Sequence, residues 1–287
     1  MNSTTRLHRE FQQILWEKSQ NFRNCEFIFT AIDNFLHKYN RGYFTIVGSP
    51  GSGKSAILAQ FVTGNPNPNL NIIYYNAQIA GKNTAEEFIK YICNEIVARG
   101  NIMVKTRNFT SLHLSLLLQQ ISDNLPANQK LIIAIDALDA INPDNQPLGT
   151  NLFYLPRYLP QGVYFLLTRR PFKKEKSGLL IEAPAQLLDL SAYNLINWDD
   201  ELAFNQHWQQ MQDSGLSDIA KKILRVLVIT NQPMSVEEIA RTIDEDEYDV
   251  EEVLDSWFEF LQLQEIGGEV RYSFYDARFC QWLVGRW

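Results

Sequence analysis

Gly48-Ser49-Pro50-Gly51-Ser52-Gly53-Lys54-Ser55 is the stretch that decides the fold. It meets the phosphate-loop pattern G-x-x-x-x-G-K-[ST] at every fixed position. Tyr43-Phe44-Thr45-Ile46-Val47 before it is β-branched and aromatic and reads as a buried strand. Ala56-Ile57-Leu58-Ala59-Gln60-Phe61-Val62 after it reads as a helix. Backbone N–H groups in a turn between strand and helix point at an anion, and the helix start adds partial positive charge. The glycines allow the close backbone approach that side chains would block. Residues 48–56, from Gly48 through Ala56, are therefore the expected cradle. Lys54 would reach the terminal phosphates, and the Ser55 hydroxyl would hold Mg²⁺.

Further strands are expected at residues 72–75, 130–136, 162–168 and 187–190, with helices at 27–35, 84–99 and 112–124 between or before them. Thr84-Ala85-Glu86-Glu87 has the form of a capping box. This alternation predicts an α/β fold, a parallel sheet with helices on both faces, whose ligand lies at the carboxyl ends of the strands. Leu131-Ile132-Ile133-Ala134-Ile135-Asp136 puts a carboxylate at such an end, where Asp136 would hold Mg²⁺. Asp139, three residues on, is the candidate for positioning a water, and no glutamate accompanies it, so slow hydrolysis or none is expected. Thr168-Arg169-Arg170-Pro171 ends another strand, and the Arg170 guanidinium is placed to sense a γ-phosphate.

The chain has 287 residues, 45% hydrophobic and 21% charged, a composition suited to globular domains. No run approaches the roughly 18 apolar residues of a membrane span. Residues 1–24 read as an N-terminal arm, weakly amphipathic through Leu7, Phe11, Ile14 and Leu15, without a secretion signal. Cys25, Cys93 and Cys280 are scattered, which suggests a reducing cytoplasm, and with the four histidines they form no zinc spacing. The nucleotide-binding domain is expected over 25–193, a linker over 194–217 and a second domain over 218–287. That second domain reads as helices at 219–230, 235–243 and 250–263 and a hairpin turned by Gly267-Gly268, a winged-helix arrangement. Its third helix is preceded and opened by Asp244, Glu245, Asp246, Glu247, Asp249, Glu251, Glu252 and Asp255. These carboxylates, with a net charge of −7 and a pI near 5.2, argue for internal packing and against nucleic acid as a partner.

Taken together, the phosphate loop, Ile135-Asp136-Ala137-Leu138-Asp139 and Leu167-Thr168-Arg169-Arg170-Pro171 resemble the STAND class of P-loop ATPases, nearest its bacterial NACHT-like members. Arg41-Gly42-Tyr43-Phe44, Tyr154-Leu155-Pro156-Arg157-Tyr158-Leu159-Pro160 and the run from Tyr272 to Phe279 are also similar to that group. The resemblance implies an ATP/ADP and Mg²⁺-dependent signalling switch, in bacterial defence or regulation, that assembles with itself or a protein partner. It implies an adenine cradle around Phe22, Arg23 and Asn24. The chain departs from the family where Ala140 follows Asp139, where Asp276 aligns with a phosphate-contacting histidine, and where only about residues 194–217 stand for several helices. It reads as a shortened relative. Two rival expectations are an active AAA-like ATPase coupled to DNA or protein remodelling, and a degenerate scaffold with structural nucleotide.

Overall fold

A computed structural model of the protein describes residues 9–20, 26–48, 52–100, 109–141, 146, 150–171, 180–190, 204–205, 208–209, 211–212, 216–257, 260–274 and 277–286. Ser49, Pro50 and Gly51, the expected adenine cradle at residues 22–24, Asp276, and most of the expected linker lie outside these residues. The chain divides into two compact units near residue 195.

The first unit is built on five parallel strands: β1 (Gly42–Val47), β2 (Leu70–Asn76), β3 (Lys130–Asp136), β4 (Val163–Arg169) and β5 (Ala185–Asp189). Their order across the sheet is β2-β3-β4-β1-β5. β1, β3 and β4 are buried at nearly every successive position, so both faces of the sheet are covered, as a parallel sheet requires. β4 lies between β1 and β3, with Ile46 opposite Thr168 and Ala134 opposite Leu166. The phosphate loop and the Asp136 strand tip are therefore bridged by the end of β4.

Helices α1 (Arg9–Gln20), α2 (Glu26–Lys38), α3 (Lys54–Gly64), α4 (Ala85–Gly100) and α5 (Ser111–Asn124) accompany this sheet. α3 packs on β3 and β4, and α1 packs on α3 and β2. The amphipathic reading of the N-terminal arm holds for its core: Phe11 and Leu15 are buried, and the Phe11 ring meets Tyr74, Tyr75 and Tyr91. At the start of α4, the Glu87 N–H donates to the Thr84 hydroxyl at 3.4 Å, while the Glu87 carboxylate takes Lys90 and Lys82.

The second unit contains α6 (Asp218–Thr230), β6 (Met234–Ser235), α7 (Val236–Ile243), α8 (Glu247–Ser256), β7 (Leu261–Ile266), β8 (Glu269–Phe274) and α9 (Ala277–Val284). The three strands form an antiparallel sheet in the order β6-β8-β7, completing a winged-helix arrangement. Ser235 and Glu238 form a full capping box at α7. The expected helix over 250–263 is corrected at both ends. It starts at Glu247 behind an Asp246 cap, and by Leu261 the chain is already strand. Trp257 and Phe260, whose spacing imitates helical periodicity, are buried in a turn instead.

Candidate functional site

The start of the site is backbone. Gly48 leaves β1 with its N–H donating to the Arg169 carbonyl at 3.4 Å. Gly53 takes φ 82° and ψ 8°, a left-handed conformation open to glycine, and this launches α3 at Lys54. Lys54 is 9% exposed, and its Nζ donates to the Gly48 carbonyl at 2.7 Å. The ammonium therefore reaches back to the last residue before the undescribed part of the loop, Gly48. Ala56, also in the expected cradle, is buried in the first turn of α3.

Asp136 is fully buried at the tip of β3. Its Oδ1 accepts from the Ser55 hydroxyl at 2.9 Å and from the Thr168 hydroxyl at 2.6 Å. Its Oδ2 accepts from Lys18 Nζ at 3.1 Å, Tyr74 OH at 3.1 Å and Asn76 Nδ2 at 3.3 Å. Burial, and then the Asp136 charge, push the Tyr74 phenol well above its ordinary pKa, so it remains a donor. Just beyond, Ala137 takes φ 61° and ψ 55°, a strained conformation for a residue with a Cβ, and its N–H donates to the Thr168 hydroxyl at 2.8 Å. Thr168 thus accepts from the backbone after the carboxylate and donates to the carboxylate itself.

Ser55 and Asp136 offer a hydroxyl and a carboxylate oxygen in direct contact beside the phosphate loop. This hard oxygen set suits Mg²⁺, which takes few protein ligands and completes its shell with water and phosphate. When bound, the metal would neutralise phosphate charge next to Lys54.

The structure also joins the two other expected residues. Arg170 Nε lies 2.8 Å from Asp139 Oδ2, and the Arg170 N–H donates to Asp139 Oδ1 at 3.0 Å. The acid expected to position a water and the arginine expected to sense a γ-phosphate are thus paired at the adjoining ends of β3 and β4. Neighbouring Arg169 is pulled below its ordinary pKa by burial, against the opposing pull of Asp139 and Asp189.

Lys18, Tyr74 and Asn76 were not singled out from sequence, and Thr168 entered only as the first residue of the strand-end run before Arg170. Two of them had a readable signal. Asn76 and Thr168 are polar residues at the carboxyl ends of apolar strands, where sheets of this kind place their ligand-binding groups.

Residues 37–162 match the family model of an AAA domain, a stretch that includes the loop, α3, β2 and β3. No curated protein matches the chain. Similar solved structures include the Aeropyrum pernix ORC1 protein in complex with DNA, at 13% identity over 99% of this chain and 93% of that one, with a TM-score of 0.34. Cdc6p from Pyrobaculum aerophilum is 11% identical over 98% of this chain and 95% of that one, also with a TM-score of 0.34. Drosophila ORC bound to DNA is 14% identical over 86% of this chain and 60% of that one, with a TM-score of 0.41.

Proposed function

We propose that this chain binds ATP or ADP with Mg²⁺ through Lys54, Ser55 and Asp136 and uses nucleotide state as a switch, with slow hydrolysis at most. The observation that carries this reading is the meeting of three separate segments at the carboxyl ends of β1, β3 and β4: Lys54 and Ser55, Asp136 and Asp139, and Thr168 and Arg170. The Asp139–Arg170 pair supports slow turnover, because an acid engaged by a guanidinium is a poor acceptor for a water proton. It also supports a sensor, since a γ-phosphate offers Arg170 a competing anion. STAND/NACHT-like signalling is the specific form of switch that the sequence resemblance favours.

The C-terminal unit serves protein contacts in this account. α8 exposes Glu247, Glu251, Glu252 and Asp255, a face that repels nucleic-acid phosphates.

A second reading is favoured by the AAA match over residues 37–162: a turning-over ATPase coupled to remodelling of DNA or protein. Denaturing the purified protein and chromatographing what it releases tests the switch. Stoichiometric ADP or ATP is expected. Sustained ATP turnover that Asp139→Ala abolishes, with binding retained, would instead establish the second reading.

A further inference from the structure

Asp136 has more donors than a carboxylate has lone-pair directions. Two oxygens offer about four acceptor sites, and the hydrogen bonds to Asp136 come from Ser55, Thr168, Tyr74, Asn76 and Lys18. A dication arriving here must displace part of that set. Tyr74, Asn76 and Thr168 are fixed on strands and buried. Ser55 is itself the expected metal ligand. Lys18 differs from all four: it carries positive charge, its side chain is 28% exposed, and it comes from a helix outside the sheet.

Its position is set by the sequence of α1. Phe11, Leu15 and Lys18 are spaced four and three residues apart, so they share one helical face. Phe11 anchors that face against Tyr74, the same residue whose hydroxyl reaches Asp136 Oδ2. The anchored stripe ends with the Lys18 ammonium on that oxygen. A carboxylate buried without a counter-charge destabilises the fold, and the ion pair offsets this cost before any metal arrives.

We propose that Lys18 is a tethered counter-cation that occupies the Asp136 metal site and sets the Mg²⁺ threshold for nucleotide binding. The inference rests on the proposed metal role of Asp136. Lys18 and Mg²⁺ are like charges competing for one carboxylate, so the apparent metal affinity is reduced by the fraction of molecules in which Lys18 has left. Removing the charge lowers the threshold.

The test uses the whole chain with Lys18→Gln, which keeps a donor and loses the charge, and Lys18→Arg, which keeps the charge. ADP binding is followed by calorimetry at a series of Mg²⁺ concentrations, and thermal unfolding is followed with Mg²⁺ alone. The Mg²⁺ midpoint should fall about tenfold in Lys18→Gln, the order expected for loss of one charge-assisted bond, and stay near wild type in Lys18→Arg. Without nucleotide, Lys18→Gln should melt lower than wild type and recover as Mg²⁺ is added. ADP binding with equal midpoints in wild type and Lys18→Gln would overturn the counter-cation while leaving the nucleotide reading intact. Absence of ADP binding together with Mg²⁺ recovery of Lys18→Gln would do the reverse. Neither ADP binding nor Mg²⁺ recovery would overturn both.

Discussion

Thr168 Oγ1 lies between two groups that have little access to water: the Asp136 carboxylate, at 2.6 Å, and the Ala137 N–H, at 2.8 Å. Replacing it by valine keeps the shape, strands the Ala137 N–H and removes one of the five donors to Asp136. Thr168→Val should therefore destabilise the protein by about 1–3 kcal/mol, the usual cost of leaving buried polar groups unsatisfied. The check is a lower urea midpoint at unchanged denaturant slope. A midpoint equal to wild type would mean that these bonds do not hold the strand tip together. Lys54, Ser55 and Asp136 were legible in the sequence because spacing along a strand–loop–helix, or along one apolar strand, announces them. Lys18, Tyr74, Asn76 and Thr168 reach Asp136 across 118, 62, 60 and 32 residues of chain. Only the assembled sheet together with α1 brings all four to Asp136, so no local pattern shows the whole cluster.

Elements were the more readable scale, since apolar strands and helical stripes are local. Each expected strand of the first unit is present, with ends shifted by a few residues. The failures lie where packing overrides periodicity: the end of α8, where buried Trp257 and Phe260 form a turn, and α9, which was not anticipated as a helix. The entry to β1 has a steric requirement at Gly42 that strand periodicity does not announce. A Cβ on Gly42, whose φ is +151°, would lie 2.4 Å from the Pro184 carbonyl oxygen and 2.7 Å from the Phe35 ring. That carbonyl also accepts the Tyr43 N–H, at 2.9 Å. Gly42→Ala should cost about 2 kcal/mol or more, read as a lower thermal midpoint. In the second unit, the Ser235 N–H, and then Arg271, hold the Glu238 carboxyl below its ordinary pKa. A depressed folded-state value stabilises above the unfolded one, near 4.5, and that share is lost as pH falls through the folded value. Glu238→Gln should accordingly flatten the acid limb of stability below about pH 4.5. Equal acid limbs in the two proteins would remove the capping box from that role.

At the scale of the whole molecule, the chain pairs a parallel α/β unit with a winged-helix unit, and both were foreseeable from the change in pattern after the last parallel strand. Lys54, Ser55, Asp136, Asp139, Thr168 and Arg170 all belong to the first unit, and what they do depends on whether this cluster of oxygens and cations receives a nucleotide. In the proposed function, Lys54 and Asp136 are parts of one binding device: a cation for phosphate and a carboxylate for the metal that neutralises it. Among the described residues no helix is long and apolar enough to cross a membrane. The most direct measurement is calorimetric titration of ADP and ATP into the full chain with Mg²⁺, beside Lys54→Ala. Binding by the wild type, and affinity at least about a hundredfold weaker in Lys54→Ala, is predicted from the loss of charge-assisted phosphate bonds. No heat of binding in the wild type, or the same affinity in the variant, would contradict the account.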